Sequence, residues 1–144
     1  MEFSLLLSMA GFALAMSISP GPVNLVALGT GARYGFTASL RHVVGATLGF
    51  ILLLLLMGLG LGGALSRWPV ALGAIHWGGV LFLGWMAWQL LVDSGEVEEV
   101  EGVPPAFWYG ALMQWLNPKA WLAASMGMGA YGIAGGMSQI ALFT

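Results

Sequence analysis

Charged residues are scarce in this sequence, and cysteine is absent. Aspartate, glutamate, lysine and arginine make up 7% of the 144 residues, against a usual share of about 25% in soluble domains. Four basic residues are too few for a nucleic-acid-binding patch, so no nucleic-acid partner is expected. Without cysteine there are no disulfides or thiolate metal sites. The motifs His-Glu-x-x-His and Gly-x-Ser-x-Gly are also missing, so nothing indicates an enzyme or a cofactor.

Long apolar runs dominate what remains. Hydrophobic residues make up 59% of the chain, and the mean hydropathy is +0.90. Several uncharged runs are long enough to cross the hydrocarbon of a lipid bilayer, which takes about 20 residues. They cover 3–32, 42–66, 68–92 and 120–144. We therefore predict an all-α integral membrane protein with about four transmembrane helices, because the runs lack strand alternation and are too long for barrel strands.

The predicted helices form a single membrane domain over 1–144. The first covers about 3–32 with a break at 19–22, the second about 41–65, the third about 69–92, and the fourth about 107–139 with a break at 117–118. An acidic loop over 93–106 is interpreted as a solvated face without chemistry. Since Met1-Glu2 offers no basic n-region, the first run is interpreted as a retained span rather than a signal peptide. Counting basic residues in the loops places the N-terminus outside.

Proline-containing breaks interrupt the first and fourth runs. They read Ser19-Pro20-Gly21-Pro22 and Asn117-Pro118-Lys119. An unbroken first run would reach about 45 Å, whereas the hydrocarbon is about 30 Å thick, so a break is expected there. Ser19 and Asn117 are expected to cap the helices that follow, the first of which would start at about Pro20. Broken helices survive in lipid where they are buried in protein or line a wet cavity, and paired breaks indicate a transporter's binding site.

The residues that follow the two breaks resemble each other. With Pro20 placed over Pro118, the matches are Gly29 with Gly127, Gly31 with Gly129, Ala32 with Ala130 and, if Arg33 is skipped, Tyr34-Gly35 with Tyr131-Gly132. Three predicted spans separate the starts of the copies, so the copies would cross the membrane in opposite directions. This predicts an inverted three-plus-three fold of six helices. Because the chain ends apolar at Thr144, we expect it to be truncated after the fourth helix.

Each break creates a helix N-terminus, which carries unpaired N–H groups and about half a positive charge, and so attracts anions. Lys119 adds a full charge, and a lysine within a membrane seldom lacks a role. A substrate carboxylate fits this arrangement, with Asn24 as a further polar contact and Arg33 as a gate. The candidate translocation residues are Ser19, Pro20, Gly21, Pro22, Asn24, Gly31, Arg33, Asn117, Pro118 and Lys119. The alternatives are that the prolines only kink the helices, that Lys119 snorkels and that Arg33 lies in the cytoplasmic interface.

Glycines spaced four apart mark predicted packing faces on the second helix. Gly45 pairs with Gly49, and Gly58 pairs with Gly62, in the pattern that lets helix backbones approach closely in lipid. In the third helix, His76 is either a functional residue or a partner in an interhelical or interfacial contact.

Four segments combine the proline breaks with glycine-rich stretches. They are Ser19-Pro20-Gly21-Pro22, Gly31-Ala32-Arg33-Tyr34-Gly35-Phe36, Gly45-Ala46-Thr47-Leu48-Gly49 and Trp115-Leu116-Asn117-Pro118-Lys119-Ala120. In this order and spacing they resemble the LysE/RhtB family of amino-acid exporters, and the resemblance covers essentially the whole chain. It implies a six-helix, multi-pass protein of the cytoplasmic (inner) membrane that exports amino acids or close derivatives, driven by the proton gradient. A homo-oligomer would supply some of the missing surfaces.

Two other interpretations stay open. One is a metal-ion exporter of the same superfamily, although its ligands would have to come from acids at Glu2 and within 93–101, outside the apolar runs. The other is a non-functional or partial membrane fragment, such as the product of a truncated reading frame.

Overall fold

The fold is known from a computed structural model that describes residues 3–92, 104, 106–132 and 136–144. All regular structure in these ranges is helical. The acidic loop predicted over 93–106 lies outside the described residues, apart from Pro104 and Ala106. The predicted class, an all-α membrane protein, is confirmed.

The helices follow one another with short connections. They are α1 (Phe3–Ile18), α2 (Pro22–Tyr34), α3 (Phe36–Gly58), α4 (Leu61–Ser66), α5 (Pro69–Val92), α6 (Phe107–Leu116), α7 (Pro118–Gly127), a π-helical turn (Met128–Gly132) and α8 (Gly136–Phe143). Within the described ranges, α3 and α5 are long and apolar enough to cross a membrane. The pair α1 and α2 passes the same test together, bent by 58° at its break.

The fourth predicted span differs from the expectation of one broken helix continuing through 139. Helices α6 and α7 are 10 residues each, so each rises about 15 Å. After Gly127 the chain continues as the π-helical turn, and α8 begins at Gly136, whose φ is 69°. Residues 133–135 lie outside the described part of the chain. Several short helices therefore stand where a single long one was expected.

The second predicted helix is longer at its start and shorter at its end than expected. It begins at Phe36, directly after Gly35, whose φ of 85° ends α2 with a tight turn. It ends at Gly58, because Gly60 adopts a left-handed φ of 103° that terminates the helix. Gly62 therefore lies in α4, and the prediction that it shares a helix face with Gly58 is wrong.

Helices α3 and α6 pack at backbone contact. A Cβ added to Gly45 would lie 2.0 Å from the carbonyl oxygen of Phe107, and one added to Gly49 would lie 3.0 Å from the backbone of Ala111. The indole Nε1 of Trp115 donates a hydrogen bond to the carbonyl oxygen of Gly49 at 3.0 Å. Only residues without a side chain allow this approach, as expected for small residues at helix interfaces in lipid.

The main apolar core lies where α3 meets α7, the π-helical turn and α8. Its buried members are Leu53, Leu54, Ala120, Ala124, Met128 and Ile140. This core holds α7 against α3, while the glycine contacts hold α6 there. The second proline break, which joins α6 to α7, is thereby fixed in place.

Candidate functional site

The first proline break separates α1 from α2, and α2 starts at Pro22 rather than at Pro20. The residue before Pro22 is Gly21, which is extended and gives no side-chain cap. The Ser19 hydroxyl instead donates to the carbonyl oxygen of Met16 at 3.1 Å, at the end of α1. The prediction that Ser19 caps the new helix is therefore wrong. Proline at the first helical position, with its fixed φ and missing N–H, sets the start two residues later.

Side chains bind the carbonyl groups that the first break leaves without helical partners. The amide Nδ2 of Asn24 donates to the carbonyl oxygens of Ser17 and Ser19, at 2.9 and 3.3 Å. The ammonium Nζ of Lys119 also donates to the carbonyl oxygen of Ser19. A backbone break in a lipid-embedded protein requires such internal partners.

The second break is capped as predicted. The side-chain oxygen of Asn117 accepts a hydrogen bond from the backbone N–H of Lys119 at 3.1 Å, and Pro118 is the first residue of α7. Asn117 is 5% exposed, and its Nδ2 donates to the Oε1 of Gln114 at 3.4 Å. The indole Nε1 of Trp121 donates to the carbonyl oxygen of Trp115 at 2.8 Å, which satisfies a carbonyl at the end of α6.

The structure brings the two breaks together around one cavity of about 470 Å³. Gly21 and Asn24 line it from the first break, and Asn117 and Lys119 from the second. A Cβ on Gly21 would lie 3.2 Å from the Cδ of Lys119, so the lysine stem runs directly past the first break. Residues of α3 supply a mostly apolar wall with Ala46, Phe50 and Leu54, to which Thr47 adds one hydroxyl group.

The two helix N-termini at this cavity are not equivalent. At α7, Asn117 occupies the first amides, since its side chain accepts from Lys119 and its carbonyl from Ala120 at 2.9 Å. At α2, the first hydrogen bond of the helix runs from Leu25 to Gly21, so the amides before it have no intrahelical partner. They belong to Val23 and Asn24, and both residues line the cavity.

Six of the ten candidate translocation residues do not line this cavity. Four of them belong to the breaks themselves, and two lie elsewhere; the four are Ser19, Pro20, Pro22 and Pro118. Arg33 lines a second cavity, of about 900 Å³, together with Tyr34, Gln89 and Tyr109. Gly31 lies against α3, where a Cβ would be 3.4 Å from the Cβ of Ser39. Neither residue lines the cavity at the breaks.

Sequence reasoning assigned no role to Gln114 and Ser17, which also line the first cavity. Gln114 precedes Asn117 by three residues, a spacing that places both on the same side of a helix. This spacing could have indicated that Gln114 lies at the same site as Asn117. Ser17 contributes through its backbone carbonyl, which accepts from Asn24 and has no signature in side-chain chemistry.

The predicted internal repeat stays a prediction, but its register changes. Pro22 and Pro118 each stand at the start of a helix that follows a break. The structural counterpart of Pro118 is therefore Pro22 rather than Pro20. An alignment of Pro22 with Pro118 is shifted by two residues from the alignment of Pro20 with Pro118, which matched the downstream glycines.

Metal ligands do not cluster in the described part of the chain. No group of three histidine, cysteine, aspartate or glutamate side chains there could hold an ion. The acidic positions considered for a metal exporter, Glu2 and those within 93–101, lie outside the described residues.

Sequence comparison finds relatives among bacterial efflux proteins. The sequence model of the LysE type translocator family matches residues 14–144. The chain is similar to proteins named cysteine/O-acetylserine efflux protein from Escherichia coli, Shigella sonnei and Shigella flexneri, each 29% identical over 109 residues. The matched stretch is 75% of this chain and 55% of each relative, so the chain spans about half the length of these proteins. No solved structure matches the chain.

Proposed function

The chain belongs to the LysE-type translocator family, and from that premise we propose that it is a secondary transporter that exports amino acids or their derivatives across the cytoplasmic membrane. The observation that carries this proposal is the single cavity lined by both proline breaks, with the Lys119 ammonium at its polar end. The proton gradient supplies the driving force in this proposal.

The cavity suits the carboxylate of a small amino acid. Its volume of about 470 Å³ lies within the range of about 300–1,000 Å³ that is usual for ligand pockets. An ammonium group has three donors, of which one reaches the carbonyl of Ser19. A carboxylate bound there would accept from Lys119 and from the amides of Val23 and Asn24. Hydrogen bonds to charged groups of this kind contribute about 1.5–3 kcal/mol each.

The apolar wall from α3 leaves room for a short side chain. Phe50 and Leu54 lie on that wall, and Gln114 and Asn117 add polar groups to the lining. We propose cysteine and O-acetylserine as the first substrates to test, because the similar proteins are named for their efflux. Both combine a carboxylate with a short side chain.

Counterflow in liposomes tests this function directly. Vesicles that contain the full chain are loaded with unlabelled cysteine or O-acetylserine, and entry of the labelled compound is followed at equal pH on both sides. We expect entry above the level of protein-free vesicles. Ethanolamine, which has an amino group but no carboxylate, is the matched control and should not exchange. No counterflow with any amino acid, or equal exchange of ethanolamine, would contradict the proposed function.

A further inference from the structure

A buried histidine lies in the membrane-spanning helix α3 without a hydrogen-bond partner. His42 is 0% exposed. Neither Nδ1 nor Nε2 of its ring has a partner among the described residues. The backbone of Val23 approaches the imidazole. Buried polar groups are almost always paired, so an unpaired one in a spanning helix calls for a functional explanation.

His42 lies in a tight part of the α3–α6 contact, one turn before Gly45. A Cβ added to Gly110 would lie 2.2 Å from the carbonyl oxygen of His42, so α6 passes against the histidine backbone. The imidazole is 6.0 Å from the ring of Tyr109, centroid to centroid. Packing this close places the histidine backbone directly against α6.

The imidazole adjoins both cavities but lines neither. Val23, Val43 and Ala46, which are its neighbours in α2 and α3, line the first cavity. Tyr109, its ring neighbour in α6, lines the second. His42 therefore lies in a packed layer, formed with Val23 and Tyr109, between the cavity at the breaks and the cavity that Arg33 lines.

Among the described residues of the helices around this layer, few other side chains can titrate or carry charge. Helix α2 contributes Arg33 and Tyr34, and α6 contributes Tyr109. Lys119 lies in α7 and Tyr131 in the π-helical turn, whereas α4 and α8 have no titratable or charged residue. In α3 itself, Arg41 precedes His42 and is exposed. Of these side-chain types, histidine is the one that ordinarily changes charge between about pH 5 and 8. The other histidine, His76, is exposed and contacts the edge of Trp77, at 5.8 Å between ring centroids.

We propose that His42 is the proton-carrying residue of the export cycle. When the transport cycle opens this layer toward one cavity, a ring nitrogen of the neutral imidazole accepts one proton from water there and forms imidazolium. The same ring releases that proton to water in the other cavity while one amino acid moves in the opposite direction. The inference rests on the proposed export function. It explains why an unpaired imidazole lies between two cavities, because water in one cavity is its hydrogen-bond partner in one state of the cycle and water in the other cavity is its partner in another state.

Two transport assays on the same vesicles separate coupling from translocation. Counterflow at equal pH needs no net proton movement, whereas uphill movement of substrate under a pH gradient does. We expect His42→Gln, which stays polar but cannot carry a proton, to retain counterflow and to lose gradient-driven transport down to the level without a gradient. His76→Gln is the matched control and should retain both.

The outcomes are distinguishable. Absence of counterflow in the unaltered protein contradicts the proposed function. Counterflow together with normal gradient-driven transport in His42→Gln overturns the proton role of His42. If His42→Gln and a second variant, His42→Asn, both fail to fold, the unaltered protein in weakly buffered detergent is measured instead. If substrate and proton binding are coupled, adding substrate must change the number of protons bound at neutral pH, by linkage. A substrate addition that neither releases nor takes up protons would overturn the proposal.

Discussion

The Nζ atom of Lys119 donates a hydrogen bond to the backbone carbonyl oxygen of Ser19, which precedes it by 100 residues. The bond joins the two proline breaks across the cavity. It also places a cation at the C-terminal end of α1, where the helix dipole is negative. One lysine therefore binds the broken backbone of α1 and also lines the cavity.

Replacing Lys119 by methionine should abolish most of the export. The variant keeps the apolar stem but removes the charge that would bind a carboxylate. A charged hydrogen bond of about 1.5–3 kcal/mol corresponds to a loss of roughly 10- to 100-fold in apparent substrate affinity. The measurement is the substrate concentration for half-maximal counterflow.

Two control variants accompany that measurement. Lys119→Arg keeps a cation and should keep more transport than Lys119→Met. Arg67→Met removes a basic residue from the first position after α4, away from both breaks, and should leave transport unchanged. If Lys119→Met transports like the unaltered protein, the lysine supports the backbone alone.

Removing both prolines of the first break should straighten α1 and α2 into one helix. Each proline within a helix costs about 3 kcal/mol, so Pro20→Ala combined with Pro22→Ala removes the barrier to a continuous helix. The bend of 58° would relax, and the carbonyl of Ser19 would turn away from Lys119. We expect transport to be lost, as measured by counterflow.

Thiol labelling reports the same change in structure. The chain has no cysteine, so Ser17→Cys provides a single reactive site at the cavity. Its labelling should slow when the two prolines are replaced, while Ser66→Cys, at the exposed end of α4, should label equally in both backgrounds. Unchanged labelling and transport would favour the interpretation that the prolines only kink the helix for packing.

Proline and asparagine chemistry made both breaks predictable from sequence. Pro118 follows an asparagine, and the asparagine caps α7 as expected. A break between about 32 and 41 was predicted, but not that it is a tight turn at Gly35. The end of α3 before Gly60 was not predicted, because glycine occurs throughout this chain and its positive φ depends on the local turn. The capping role of Ser19 failed because Pro22, not Pro20, takes the first helical position.

The meeting of the two breaks was proposed from their pairing in an inverted repeat, but the difference between the two helix N-termini could not be derived from the local sequence pattern. Asn117 occupies the first amides of α7, which leaves α2 as the end with unpaired N–H groups. The positions of Gln114 and His42 depend on the depth at which α6 packs against α3. That depth is set by tertiary contacts at glycine, which a sequence marks as close packing without naming the partner.

Replacing Asn117 by alanine should lower stability through the lost cap. Loss of an asparagine N-cap costs about 1 kcal/mol of unfolding free energy. Asn117→Ser retains an oxygen that can accept from the N–H of Lys119 and should lose less. Thermal unfolding of both variants in the same detergent is the measurement. An equal loss in both would assign the effect to packing around the buried side chain instead of to the cap.

Alanine at Gly45 should destabilise the protein more than alanine at any exposed helical glycine. Its Cβ would lie 2.0 Å from the carbonyl oxygen of Phe107, so α3 and α6 must separate. Overpacking of this kind costs about 1–3 kcal/mol or more. Gly84→Ala in α5 is the matched control: its Cβ meets nothing within 4 Å, and alanine favours helix by up to about 1 kcal/mol. Melting temperatures of the two variants should therefore move in opposite directions, and equal shifts would show that α3 and α6 do not depend on backbone contact at Gly45.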